Sequence, residues 1–588
     1  MLKLLTRLKA KELIFISISI VFIVVQVWLD LMLPDYMANI TTLVQTPGNT
    51  IREILNQGVG MLLCITGSLI TSIIVGYLSS FIGSGFSKNL REELFDKVYS
   101  FGMAEINRFS ISSLITRTTN DVMHVQRLVT MGLQIAIKAP IMAVWAVSKI
   151  VDKSKILSEI TGIAVVVSMV IMFATMMIVV PKFKKVQKLT DQINGVTRES
   201  LLGIRVTRAY NAEKYQETKF DNVNQELTKI GKFTGRIMTA LWPCIDLTTY
   251  ALTLGTYLIG AFLIQNSIID MRLELFSNIV VFSNYSSMVL SSFMMLATII
   301  IMYPRVSVSS NRILEVLNTE PSVVEGNMNS TTQLRGLVEF KDVSFRYPAT
   351  DKYVFEHVSF VAQPGETIAI VGPTGCGKST LINLIPRFYD ATSGDILLDG
   401  LSIKEYSKES LNSKIGYVPQ KVTLFSGSVH ENVSYGYSYG NKPTLEDVKN
   451  AINIAQAEDF VLNMDGQYDA QIARSGNNIS GGQKQRLQIA RAIARKPQIY
   501  IFDDSFSALD YKTDALVRKA IKNISSESTK FIVSQRIGTI RYSDKIIVLE
   551  NGHVVGLGTH DELLDNCPEY RSMAEAQLRK EELYNGKI

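Results

Sequence analysis

At 588 residues the chain is too long for a single ordinary core, and its 47% hydrophobic content is high for a soluble enzyme. A net charge of +6 is modest for this length, and no basic stripe or binding module accompanies it, which argues against a nucleic-acid partner. Cys64, Cys244, Cys376 and Cys567 are widely separated, so neither a disulfide scaffold nor a cysteine metal cluster is indicated.

The apolar excess is confined to about the first 305 residues, while the remainder reads as a water-soluble α/β protein. Lys3, Arg7, Lys9 and Lys11 precede an apolar run from Leu13 to Leu29. No small-residue cleavage site clearly follows and five further spans come after it, so this run reads as a first transmembrane helix rather than a signal peptide. The six spans are drawn at 13–33, 58–82, 128–150, 156–180, 237–263 and 277–303, each near the ~20 residues that cross a bilayer. Between them, 87–127 and 181–236 are long, charged and helix-like. Their lysines and arginines place both on the cytosolic side, although basic residues in the third-to-fourth hairpin run against that rule.

These spans make residues 1–318 a six-helix membrane domain. A polar stretch at 319–336 reads as a linker, and residues 337–588 form a second domain. Its pattern opens with the alternating strands Val338-Glu339-Phe340 and Val343-Ser344-Phe345.

Gly372-Pro373-Thr374-Gly375-Cys376-Gly377-Lys378-Ser379-Thr380 fits a phosphate-binding loop, set between an apolar strand at 367–371 and a helical run from Leu381. The glycines let backbone N–H groups turn toward phosphate, and the following helix N-terminus adds a favourable field. Lys378 is expected on the terminal phosphates and Ser379 on Mg²⁺. Cys376 reads as a small spacer. Ile499-Tyr500-Ile501-Phe502 is an apolar strand ending in Asp503-Asp504, and Asp503 at its tip is expected to hold the Mg²⁺ shell. The cofactors implied are therefore ATP and Mg²⁺.

Between these motifs lies Ile479-Ser480-Gly481-Gly482-Gln483, and with it the chain resembles the ATP-binding cassette (ABC) transporters. The resemblance runs over essentially the whole chain and implies an exporter half-transporter. Six membrane helices with long cytoplasmic extensions are followed by an α/β P-loop nucleotide-binding domain. By that resemblance Tyr347 stacks on adenine, Gln420 senses Mg²⁺, and Asp510 lies in the loop crossing a cassette dimer. Ser480, Gly481, Gly482 and Gln483 act on ATP held by a partner. Leu114-Ile115-Thr116-Arg117 with Asn120-Asp121 looks like a first cytoplasmic coupling region, and the stretch from Gly203 to Tyr210 like a second.

Two positions depart from the family pattern. Asp504 stands where the family has a water-orienting Glu, and Gln535 where it has a switch-loop His. Asp is one methylene shorter, drawing the carboxylate back by about 1.5 Å, and misplacement of about 1 Å can cost on the order of 10²-fold. Glutamine donates a hydrogen bond but does not pass on a proton as imidazole does. Retained binding residues with altered chemistry resemble the degenerate subunit of heterodimeric bacterial multidrug exporters. The expected partner is a second, non-identical half-transporter, and the expected setting is the plasma membrane with a cytoplasmic cassette. The expected cargo is a small amphipathic compound. A lipid flippase, a peptide exporter and an ATP-gated channel are the alternatives. The stretch from Ala470 to Gly476 also lacks two acidic groups that the family often carries. In the membrane half, Asp30 and Asp246 are candidate attractors of cationic cargo or interhelical hydrogen-bond partners, and Lys138 is a third charge in or near a span. Met294, Met295 and Met302 offer an adaptable lining or simple packing.

Overall fold

The computed structural model describes residues 2–46, 48–151, 154–267, 269–328, 335–348, 350–437, 441–524 and 527–578. Part of the polar stretch 319–336 (residues 329–334) lies outside them. The chain divides into two units: residues 1–97 with 112–318, and residues 98–111 with 319–588.

The first unit is helical. Its principal helices are Ala10–Gln45, Ile51–Ser100, Val122–Val151, Lys155–Leu202, Glu213–Gln265 and Ile269–Asn318. Among the described residues, six helices are long and apolar enough to span a bilayer. Each runs well past its apolar window, because the charged stretches that hydropathy leaves out continue as helix. Pro34, Pro140, Pro181 and Pro243 lie inside these helices, as proline can in membrane helices whose freed carbonyls find other partners. The apolar window of Arg272–Ile299 is 50% buried, against 17% in Ile51–Ser100 and Glu213–Gln265, so it forms the centre of the unit. Phe282, Tyr285, Val289 and Leu290 from it pack with Ile23, Val27 and Leu31.

Charges inside this unit are paired. Lys138 Nζ lies 3.0 Å from Asp30 Oδ2, and Ser68 also donates to Asp30. Lys149 meets Asp35 at 2.9 Å, and the Tyr285 hydroxyl donates to Asp35 Oδ1 and to the Leu31 carbonyl. Asp30 is thus an interhelical bonding group, the simpler of its two readings, whereas Asp246 is exposed. Met294, Met295 and Met302 are half-buried.

The segment read as a first coupling region lies in the first unit and is bonded within it. Arg117 is buried and donates to Glu315 and to the Arg312 carbonyl, while Asp121 accepts from Ser309 and pairs with Arg312. The segment from Leu114 to Asp121 is therefore tied to the end of the last long helix of the first unit. A buried guanidinium and carboxylate need such partners, and hydropathy does not reveal which helix supplies them. The short helix Met103–Phe109 belongs instead to the second unit, although it lies within the first 318 residues. The short helix Ile204–Ala209 stays in the first unit, with Val206 and Tyr210 exposed.

The second unit is built on a six-stranded sheet. Its order is His553–Gly558, Lys545–Glu550, Thr367–Val371, Thr529–Val533, Ile499–Asp503, Ile415–Val418, and all neighbours are parallel except the first pair. Successive side chains feed opposite cores. Ala369, Val371, Tyr500, Phe502 and Ile532 join one, and Ile368, Ile370, Ile499, Ile501 and Phe531 join the other. Burial on both faces explains why these strands read as unbroken apolar runs. A four-stranded antiparallel sheet covers one flank.

Candidate nucleotide-binding site

Parallel strands place their carboxyl ends on one edge of a sheet, and loops leaving that edge can converge. Here four strands do so. Thr367–Val371 leads into the glycine-rich loop, Ile415–Val418 to Gln420, Ile499–Asp503 to Asp504, and Thr529–Val533 to Gln535.

Two glycines of the loop are dictated by geometry. A Cβ at Gly372 would lie 2.0 Å from the Leu549 carbonyl oxygen, and one at Gly377 2.8 Å from Val354 Cγ1, where φ is also +101°. Gly377 caps the helix Lys378–Asn383. Lys378 is 7% exposed and its ammonium donates to the carbonyls of Gly372 (2.8 Å) and Pro373 (2.7 Å). No carboxylate pairs with it among the described residues. A buried cation ringed by a glycine-rich loop fits a polyphosphate. Thr374 and Gly375 are exposed, and Cys376 is buried with its sulfur 3.7 Å from Lys378 Nζ.

Ser379 donates to Asp503 Oδ1 at 2.8 Å, and Asp503 is 4% exposed. Burial raises the Asp503 carboxyl. The Ser379 hydrogen bond pulls it down, Asp504 pushes it up again and Lys378 opposes. A hydroxyl and a buried carboxylate are hard oxygen donors suited to Mg²⁺, whose remaining positions phosphate oxygens and water complete. No cluster of three or more His, Cys, Asp or Glu suited to a metal occurs among the described residues. When bound, Mg²⁺ neutralises phosphate charge during transfer.

Asp504 has φ +46° and receives a long 3.5 Å hydrogen bond from the exposed Gln420. Gln535 is exposed, and its carbonyl accepts from Gln577 Nε2 at 2.8 Å, while Gln577 Oε1 accepts from Ile537 N. Arg536 reaches the Ser507 carbonyl. The loop after Thr529–Val533 is therefore held from two directions, by Gln577, which no motif includes, and by Ser507 of the loop that carries Asp510.

Tyr347 is half-buried, edge-on to Phe345 and Tyr389, and its hydroxyl hydrogen-bonds that of Thr380. Ser480 caps the 14-residue helix Gly481–Ala494: its hydroxyl accepts from Gln483 N, and Gln483 Oε1 accepts from Ser480 N. Ser480 and Gly481 are exposed and Gly482 and Gln483 half-buried, so this helix start is open to a ligand brought from outside the chain. Asp510 is exposed and held by Thr513 N. The stretch from Ala470 to Gly476 includes Gln471–Ile472, which pairs with Gly427–Ser428.

Comparison with known proteins agrees with this geometry. Residues 355–507 match the family described as ABC transporter, and residues 16–293 match the ABC transporter transmembrane region. An uncharacterized ABC transporter ATP-binding protein of Mycobacterium tuberculosis is 37% identical over 522 residues, 88% of each chain. A multidrug resistance ABC transporter ATP-binding and permease protein of Lactococcus lactis is 30% identical, over 87% of this chain and 85% of its own. The solved structure of a bacterial Atm1-family ABC exporter with ATP bound superposes with a TM-score of 0.80 at 22% identity, covering 96% of this chain and 99% of that one. A transmembrane region and an ATP-binding domain in one polypeptide, folded as an ABC exporter half, make the chain a member of the ABC transporter family and a transport-coupled ATPase.

Proposed function

We propose that the chain is one half of a heterodimeric exporter of amphipathic compounds, with a site of its own that binds Mg-ATP and hydrolyses it poorly. The observation that carries this reading is the pairing of Asp504 and Gln535 with an otherwise complete set of binding residues. Lys378 holds the terminal phosphates, Ser379, Asp503 and Gln420 the Mg²⁺, Tyr347 the adenine, and the loop from Gly372 to Thr380 the remaining phosphate oxygens. Asp504 is short for orienting water, and Gln535 does not relay a proton. The name of the Lactococcus relative supports the class of cargo.

In this reading each nucleotide lies between the phosphate loop of one cassette and the Ser480–Gln483 signature of the other, with Asp510 in the loop at the interface. ATP favours the closed pair because it contacts both faces, and phosphate loss removes that difference. The ordinary turnover takes place on the partner's phosphate loop, completed by the signature of this chain. The membrane is the plasma membrane and the cassette faces the cytoplasm.

The test is phosphate release by this chain co-purified with the half-transporter that accompanies it in native membranes. Asp504→Ala is expected to lower turnover little, whereas removing the partner's catalytic Glu abolishes it. Ser480→Ala is expected to be more damaging than Lys378→Ala. The reverse order, or brisk hydrolysis by this chain paired only with copies of itself, overturns the assignment.

A further inference from the structure

Helix Met103–Phe109 and the phosphate loop are connected by a short run of contacts within one unit. Met103 N donates to the Phe388 carbonyl, and Asn107 Nδ2 donates to the Tyr389 hydroxyl at 2.9 Å. The Tyr389 ring meets Tyr347 edge to face, with centroids 5.3 Å apart and planes at 85°. The Tyr347 and Thr380 hydroxyls are 2.9 Å apart, and Thr380 sits in the first turn of Lys378–Asn383. Phe345 braces both rings, 5.0 Å from Tyr347 and 5.6 Å from Tyr389.

Tyr389 is 8% exposed, and a buried hydroxyl requires a partner. The Asn107 amide supplies it, so the seating of the helix and the placement of the ring are one event. A cavity of about 280 Å³ bordered by Ala104, Phe345, Arg346 and Tyr389 leaves one side of this path loosely filled. Ring position there depends on the edge contact and on Asn107 rather than on close packing all round.

From this geometry we infer that Tyr389 is a positioning residue for the nucleotide base, passing the seating of Met103–Phe109 to Tyr347. The inference rests on the proposed role of Tyr347 as the ring that stacks on adenine. Because coupling between two binding events is reciprocal, a base resting on Tyr347 tightens the seating of Met103–Phe109 by the same factor. That helix links Ile51–Ser100 to Ile111–Thr116 in the chain. Nucleotide arrival is therefore registered at the connection between two membrane helices before any second cassette is engaged.

The experiment titrates a fluorescent ATP analogue into the full-length chain in lipid nanodiscs. It compares wild type, Tyr347→Ala, Tyr389→Phe, Asn107→Ala and the double variant Asn107→Ala/Tyr347→Ala. Tyr389→Phe keeps the ring and removes only its hydroxyl. Tyr389→Phe and Asn107→Ala each remove the hydrogen bond between them and are expected to weaken binding about two- to tenfold, the range of one neutral hydrogen bond. Asn107→Ala adds nothing once Tyr347 is Ala. Hydrogen exchange of residues 103–109 is expected to slow on ATP addition in wild type and not in Tyr389→Phe, a difference that mere loss of stability does not produce. If Tyr347→Ala weakens binding while Tyr389→Phe and Asn107→Ala match wild type, or if the double variant is additive, the positional link is overturned and the adenine role of Tyr347 stands. If Tyr347→Ala itself binds normally, both fall.

Discussion

The hydroxyl of Ser379 donates to Asp503 across 124 residues of sequence, joining the phosphate loop to the tip of strand Ile499–Asp503. Burial leads the forces that raise the Asp503 carboxyl, so the native state holds its proton to higher pH than an unfolded carboxyl with a pKa of about 3.9 does. Stability from this source is present below that value, falls as pH rises through the native pKa, and is then lost. Asp503→Asn is therefore expected to raise the melting temperature of the nucleotide-free chain at pH 7.5. It should also remove the Mg²⁺-dependent part of stabilisation by ATP. In wild type that Mg²⁺-dependent part is expected to shrink at pH 5, where protons compete for the carboxylate. Scanning fluorimetry with and without Mg²⁺ checks both.

Restoring a Glu and a His addresses the proposed chemistry directly. Gln420 reaches Asp504 only at 3.5 Å, and Gln535 presents an amide. Asp504→Glu together with Gln535→His is expected to raise phosphate release at this site by about tenfold or more, measured in the proposed heterodimer with the catalytic Glu of the second half removed so that the background is low. The single substitutions give less. No gain from the pair would show that the slow step lies elsewhere.

Lys414 and Asp399 form a buried ion pair at 2.9 Å, with side chains 3% and 0% exposed. Asp399 also accepts from the backbone N–H groups of Gly336 and Leu337. Asp399→Ala strands an ammonium inside the cassette and is expected to destabilise it by about 3–5 kcal/mol. Lys414→Met leaves the carboxylate two donors and is expected to be milder. Urea denaturation followed through the cassette ranks the two.

Asp30 and Lys138 pair between membrane helices, about 80% buried. Asp30→Asn leaves the lysine without its counter-charge in a medium where that is expensive. Thermal unfolding in detergent is expected to show a large loss for Asp30→Asn and substantial recovery in Asp30→Asn/Lys138→Met. Equal loss in both would assign the role of Asp30 to its contact with Ser68.

The parts of this fold written in short, chemically constrained strings were legible in the sequence. Gly372 and Gly377 cannot carry a Cβ, and an acidic pair at the end of an apolar strand has few other uses. Spans were legible as apolar windows and the charged connections as helix-like, but not the residue at which each long helix stops, because a charged helical extension carries no hydropathy signal. Partnerships across long separations were not legible. Asn107 finds Tyr389 across 282 positions, and Gln577 reaches the loop of Gln535 from the last helix described. Each of these is an ordinary polar residue whose meaning comes only from the surface it folds against. Arg117 and Asp121 read only as part of a family-like coupling region, and their partners Glu315, Ser309 and Arg312, far along the chain, were not legible either.

The allocation of residues 98–111 bears on how the cassette is handled as a reagent. Phe101 and Phe109 stack on one another within that stretch, Ala104 packs against the apolar core of the unit, and Lys408 donates to the Tyr99 carbonyl. A soluble fragment begun at residue 319 discards this lid. It would uncover an apolar facet and remove Asn107 from the Tyr389 hydroxyl, beside Tyr347, the ring proposed to stack on adenine, so nucleotide constants measured on it are expected to differ from those of the full chain. A fragment carrying 98–111 spliced back through a short tether is the smallest soluble form expected to reproduce the behaviour of the whole.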